Sequence, residues 1–216
     1  MNPLLIPSYT EYEETYKASV NNPTQFWEGI AGEFTWQRPW HTTLEWEFST
    51  PTVKWFQGGI LNITENCLDR HLEEQGDDTA LIWEPNNPKE QEVCLTYKEL
   101  HSEVCRFANV LKARGVRKGD RVAVYMPMIP ELTIGVLACA RIGAVHSVVF
   151  AGFSSNALAD RINDSRCVCI LTSDGMYRGE KALPVKATVD EALKNCDSIE
   201  SVIVIRGDGR EVAMVE

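Results

Sequence analysis

Two cations stand close together in a glycine-containing stretch, Thr172-Ser173-Asp174-Gly175-Met176-Tyr177-Arg178-Gly179-Glu180-Lys181. Arg178 offers a planar fork that can grip a phosphate with two bonds, and Lys181 adds a point charge. A glycine lets backbone approach a ligand closely. The apolar run Cys167 to Leu171 comes just before. The loop is therefore expected to leave the end of a strand, which in open parallel sheets is where ligands bind. From these residues alone the pattern reads more readily as an ordinary solvated loop, with an anion site as the alternative that its strand-end position supports. Lys186 follows a little further on, beyond Pro184.

Other signals are weaker. No Gly-x-Gly-x-x-Gly follows a strand and no Gly-x-x-x-x-Gly-Lys-Ser/Thr occurs, so both standard phosphate fingerprints are missing. Cys167-Val168-Cys169 is expected to put both sulfurs on one strand face, packed in a core, since no second Cys or His pair is near enough in sequence to complete a metal site. His41, His71, His101 and His146 show no ligand spacing. His146 opens an apolar run near the expected ligand edge and reads as a structural hydrogen-bonding residue. Asp69-Arg70-His71 reads as a surface or capping cluster. Arg206-Gly207-Asp208 reads as a turn within Ile205 to Val212, where a hairpin turn is expected. No catalytic residue and no metal ligand is assigned.

The elements that must position the loop are read from periodicity. Val122 and Val124 belong to a short apolar run closed by Met126-Pro127, Glu131 to Ile142 is helical with Gly143 as its C-cap, and His146 to Phe150 is a second apolar run. This is a βαβ unit with a right-handed crossover. Its exit is the small-residue turn Ala151-Gly152-Phe153. Thr96-x-x-Glu99 is a capping box opening a long helix to Arg114, closed by Gly115. Ser154 or Ser155 caps a helix to Ile162, Pro184 to Asn195 is helical, and Ser201 to Ile205 is a strand. From residue 96 helices and strands alternate, which predicts an α/β layered architecture, a mostly parallel sheet flanked by helices. Upstream, Asn62 to Gln75 reads as one helix with Cys67, Leu68 and Leu72 on one face. Ala80 to Trp83 and Glu92 to Leu95 read as two strands.

Residues 1–57 differ. Five of six tryptophans (27, 36, 40, 46 and 55) lie there. Thr10-x-x-Glu13 suggests a capped helix and Pro23-Thr24 a second. The rest reads as an extended Trp-rich arm wrapping a body that begins at residue 58, its indoles acting as packing anchors rather than as a ligand platform.

The formal charge of −10 argues against general binding to nucleic acid or anionic membranes. No apolar run has the length of a membrane span and no signal peptide is visible, and seven cysteines, an odd number mostly within apolar runs, read as reduced thiols of a cytoplasmic protein.

Several longer blocks carry a resemblance. Trp55-Phe56-Gln57-Gly58-Gly59-x-Leu61-Asn62 with Asn66-Cys67-Leu68-Asp69-Arg70-His71, then Tyr125-Met126-Pro127-Met128-Ile129-Pro130-Glu131, then Ala138 through Phe150, resemble the AMP-forming acetyl-coenzyme A synthetases, adenylate-forming ligases. The Trp-rich arm is similar to that family's N-terminal extension. The resemblance implies that acetate and ATP-Mg give acetyl-AMP and pyrophosphate, and that coenzyme A (CoA) then attacks to release AMP. It implies that Phe150-Ala151-Gly152 lines the CoA nucleotide, and that Arg178, Gly179, Glu180 and Lys181 grip its 3′-phosphate and adenine end. Two departures stand out: Ala151 replaces a customary glycine and Glu180 a customary small residue.

The resemblance also implies that the phosphate loop ending in Pro-Lys, the ribose-binding aspartate, the interdomain hinge residue, the catalytic lysine and the acyl pocket lie beyond this chain. A non-catalytic N-terminal fragment is expected, inactive alone, without tightly bound cofactor, and open to self-association through uncovered edges. A propionate-specific sister enzyme carries the same signals. A free-standing nucleotide-binding or scaffold module is the alternative from another class.

Overall fold

The computed structural model describes residues 6–87, 89–179, 181–207, 209 and 211–214. Glu180, Asp208 and Arg210 lie outside the described residues. The chain forms two compact units, 1–66 and 67–216.

The first unit opens with α1 (Tyr9–Asn21). Its cap is Ser8, whose hydroxyl accepts from the Glu11 amide at 3.2 Å. Ser8-x-x-Glu11 repeats the Thr10-x-x-Glu13 pattern two residues earlier, and the earlier one is used. Helix α2 (Pro23–Gly32) has proline in its first turn, where the missing N–H is no loss. Strands β1 (Thr42–Glu47) and β2 (Thr52–Gln57) form an antiparallel hairpin, so part of the stretch read as extended is a paired strand. The rings of Trp36, Trp40 and Phe56 lie 4.8–5.6 Å apart. Each indole in this group has a polar partner. Trp36 Nε1 donates to the Ala31 carbonyl and Trp40 Nε1 to Thr43 Oγ1, both at 2.9 Å.

Helix α3 (Ile63–Cys67), a 3-10 turn (Asp69–His71) and α4 (Leu72–Gln75) replace the single helix expected over Asn62 to Gln75. The break falls at Leu68, which is 2% exposed and has φ −127°. Turning Leu68 into the core takes the backbone out of helical register, and Cys67 is left exposed.

In the second unit β3 (Thr79–Trp83) and β4 (Val93–Thr96) pair antiparallel. Helix α5 (Tyr97–Ala113) carries the Thr96/Glu99 capping box in full. Then follow β5 (Arg121–Tyr125), α6 (Pro130–Ile142), β6 (Val145–Val148), α7 (Ser155–Ser165) and β7 (Cys169–Ser173). Gly143 ends α6 at φ 75°, the left-handed conformation that favours glycine. A short hairpin of β8 (Met176–Arg178) and β9 (Lys181–Leu183) precedes α8 (Val185–Leu193) and β10 (Ser201–Ile205).

The main sheet is parallel throughout, in the order β10-β7-β5-β6. Side chains alternate cleanly across it, as a period of two requires. Val122, Val124, Cys169 and Leu171 face α5 and α6, in a core with Leu100, Val104, Ala108, Ile134 and Ala138. Ala123, Tyr125 and Ile170 face α7 and α8, with Leu158, Ile162, Val185 and Val189. A sheet buried on both faces explains why β5 and β7 read as continuous apolar runs. The α/β layered prediction holds.

Candidate functional site

Strand order locates the candidate site. From β5 the chain crosses to β6 on one side, then returns past β5 to place β7 on the other. Helix α6, after β5, packs on one face, and α8, after β7, on the opposite face. The order thus reverses between β5 and β7, and the crevice outside the carboxyl ends of these strands is the position where such sheets take ligands. Tyr125, the last residue of β5, is in register with Thr172 of β7. Both are buried, and among the described residues Thr172 Oγ1 has no hydrogen-bond partner.

The exit of β6 folds back over the end of β5. Tyr125 Oη lies 2.9 Å from the Ala151 carbonyl oxygen and 2.7 Å from that of Phe153, so its single proton is shared between two acceptors. Burial pushes the Tyr125 phenol above its usual pKa, which keeps it a donor. Of the predicted residues in this turn, Ala151 is buried while Phe150 is 64% exposed. The Phe150 and Phe153 rings meet edge to face, centroids 5.8 Å apart, and the Arg161 guanidinium sits 4.7 Å from the Phe153 ring centre. A Cβ on Gly152 would come within 2.4 Å of the Phe150 ring. Glycine there leaves room for the exposed ring beside the turn.

The exit of β7 is held differently. The Asp174 carboxylate is 2% exposed. Its Oδ1 accepts from the amides of Gly175 (2.8 Å) and Gly207 (2.7 Å), and its Oδ2 from Gly209 (3.0 Å). Beyond it, the stretch read as a loop is in fact the β8–β9 hairpin. Arg178 and Lys181 are cross-strand partners at its end, separated by Gly179, at φ 60°, and Glu180. Gly179 takes the left-handed conformation there, which glycine adopts without strain. Asn86 Nδ2 donates to the Gly179 carbonyl at 3.0 Å and ties the hairpin end to the β3–β4 connection. Arg178 and Lys181 thus form an adjacent pair of cations.

Phe150, Ala151 and Gly152 on one side, and Arg178, Gly179 and Lys181 on the other, all leave the carboxyl edge of the sheet. Tyr125, on β5, lies between their parent strands β6 and β7, next to Thr172 of β7. Lys186 is not among these groups. It is 6% exposed and spends its ammonium on Asp190 Oδ1 (2.6 Å) and the Ala213 carbonyl (3.1 Å).

Three other expectations are corrected. His146 pairs with Val122 near the start of both strands, so it lies at the amino edge, away from the ligand edge. Cys167 and Cys169 pack on opposite faces, because β7 begins at Cys169 and Cys167 precedes the pleat. Asp69 is no surface cap. Arg141 grips it with two bonds of 2.7 and 2.9 Å, and His101 Nε2 lies 3.3 Å away, all three side chains being about a quarter exposed. The Arg141 hydrogen bonds hold the Asp69 carboxyl below its usual range. A separate groove of about 540 Å³, between α5, α6, β3–β4 and the end of β10, includes none of the predicted residues. Among the described residues no group of three or more His, Cys, Asp or Glu is placed to hold a metal ion.

Sequence reasoning passed over Tyr125 and Asp174. A tyrosine closing a buried strand, and an aspartate followed by glycine at a strand exit, were the available signals.

Residues 12–67 match the family model described as acetyl-coenzyme A synthetase N-terminus. An acetyl-coenzyme A synthetase 2 of Pseudomonas putida is 48% identical over 206 residues, covering 95% of this chain and 32% of that protein. An acetyl-coenzyme A synthetase of Saccharophagus degradans is 50% identical over 204 residues, 94% of this chain and 32% of its own length. The chain therefore spans about a third of the length of the curated relatives it matches. The solved structure of an acetoacetyl-CoA synthetase from Streptomyces lividans superposes with a TM-score of 0.85 at 28% identity, over 96% of this chain and 31% of that one. Residues 68–215, two-thirds of the sequence and the whole of the parallel sheet, match the family model described as AMP-binding enzyme, and the chain belongs to that family.

Proposed function

We propose that this chain supplies one wall of a CoA site in an AMP-forming acetate–CoA ligase, which converts acetate, ATP and CoA to acetyl-CoA, AMP and pyrophosphate through acetyl-AMP. The observation that carries the reading is the pairing of Arg178 with Lys181 at the end of a hairpin that leaves the ligand edge of the sheet. Two adjacent cations suit the 3′-phosphate of CoA. The fork can take two phosphate oxygens while the ammonium neutralises remaining charge. Glu180 belongs to the same assigned segment. Across the edge, Phe150 offers an exposed aromatic face to the adenine, and Ala151 and Gly152 keep the turn low.

No residue of this chain is assigned a bond-making role. The adenylating groups belong to the rest of the ligase, so the chain alone is read as inactive and as a weak binder of CoA and ATP-Mg. A cytoplasmic location with no nucleic-acid or membrane partner is part of the same proposal. It is supported by the charge of −10 and by the lack, among the described residues, of any helix long and apolar enough to cross a membrane. Self-association is supported by the half-exposed outer strand β6, where Val145 and Val148 are 52% and 53% exposed.

Titration of the labelled chain with CoA, followed by NMR, tests the reading. CoA should shift the amides of Phe150–Gly152 and of Arg178, Gly179 and Lys181. CoA lacking its 3′-phosphate should leave the second group unmoved. Equal shifts with both ligands would contradict the assignment of the cation pair.

A further inference from the structure

We propose that Asp174 is a positioning residue for the Arg178/Lys181 hairpin, acting through the backbone and not on the ligand; its bearing on CoA binding rests on the function proposed above. Three amide N–H groups converging on one point form an anion-binding nest. Here the nest is filled by the protein's own buried carboxylate. The three donors come from two different segments. Gly175 continues from β7, whereas Gly207 and Gly209 follow β10. The contact is tight at Gly207, where a Cβ would stand 3.1 Å from both Asp174 Oδ1 and the Gly175 carbonyl oxygen and would press on both.

The same residue also clamps the base of the hairpin. The Asp174 amide donates to the Ile205 carbonyl at 3.0 Å, and its carbonyl accepts from the Lys186 amide at 3.4 Å. Strand β8 begins two residues after Asp174, and β9 ends two residues before α8 begins at Val185. The chain is therefore held at Asp174 on both sides of the hairpin, before β8 through the Gly175 amide and after β9 through the Lys186 amide in the first turn of α8. Three-residue strands make a hairpin too short to hold its own direction. The Asp174 nest fixes the base of the hairpin relative to the sheet, while the Asn86 bond to Gly179 holds its far end.

The test uses the 216-residue chain in three variants. Asp174→Asn keeps the side-chain shape but turns one acceptor into a donor facing an amide. Gly207→Ala presses on the same nest from the other side. Arg178→Ala removes the cation and leaves the nest alone. Amide residual dipolar couplings report hairpin direction, and equilibrium dialysis reports CoA affinity. In the unaltered chain the couplings of β8 and β9 should fit the same alignment as β5 and β7. In Asp174→Asn and Gly207→Ala those of the hairpin should fall by half or more while β5 and β7 keep theirs, and CoA affinity should fall at least threefold. Arg178→Ala should lose affinity with its couplings unchanged. Hairpin couplings that survive both nest variants, or that collapse only together with those of β5 and β7, overturn the positioning role. If Arg178→Ala leaves CoA affinity intact, the CoA reading fails instead, and the couplings still decide the role of Asp174.

Discussion

The hydroxyl of Tyr125, at the end of β5, bonds to the carbonyl oxygen of Ala151, in the turn after β6, across 26 residues of sequence. One proton holds the β6 exit down over the neighbouring strand. Tyr125→Phe removes it and leaves two carbonyls short of a donor, that of Ala151 in a buried site and that of Phe153 in a partly buried one. The cost should be about 1–3 kcal/mol in chemical denaturation. The amides of Phe150–Phe153 should shift in NMR spectra while those of α5 stay in place.

Acid stability should depend on Asp69. The Arg141 hydrogen bonds lower its folded pKa, so the unfolded chain binds its proton more readily than the folded one. The contribution is fully present above the ordinary carboxylate value of about 3.9 and is lost as pH falls through the lowered value. Asp69→Asn should therefore flatten the acid limb of a stability–pH curve. At neutral pH, Arg141→Ala should cost about 1.5–3 kcal/mol, towards the lower figure because the pair is partly solvated.

The thiols should divide sharply. Burial pushes Cys139 up to about 12 and Cys169 to about 11, and raises Cys167 and Cys196 as well. Cys67 and Cys94 are exposed and Cys105 is half-buried. The thiolate is the nucleophile, so a disulfide reagent at pH 8 should titrate Cys67 and Cys94 quickly and Cys105 slowly. The other four should react only after denaturation, as mass spectrometry of labelled peptides would show.

Much of this could be read from sequence, because much of it is local. The Thr96/Glu99 box, the Gly143 cap and the apolar runs of β5 and β7 each depend on residues a few positions apart. What stayed hidden depends on strand order. Asp174 meets Gly207 and Gly209 only because β10 lies beside β7. Asp69 and Arg141 are 72 residues apart and meet through the packing of the 3-10 turn near α6. Leu68 breaks its helix because the core claims its side chain, a tertiary effect that local pattern does not carry. Cys167 changes face because its strand starts two residues later than its apolar run. Both cations of the loop were visible in the sequence, but the hairpin that pairs them was not, since strands of three residues leave too little periodicity to detect.

The central claim is that Arg178 and Lys181 serve CoA and not the adenylation step. The most direct measurement joins this chain to the remaining two-thirds of the Pseudomonas putida relative and compares both half-reactions with and without Arg178→Ala. Loss of one charge-assisted bond of about 1.5–3 kcal/mol corresponds to a rise in KM for CoA of roughly 10- to 150-fold. Acetate-dependent ATP–pyrophosphate exchange should stay at the level of the unaltered chimera. If exchange falls as far as thioester formation does, the cation pair serves the first step and the CoA assignment is wrong.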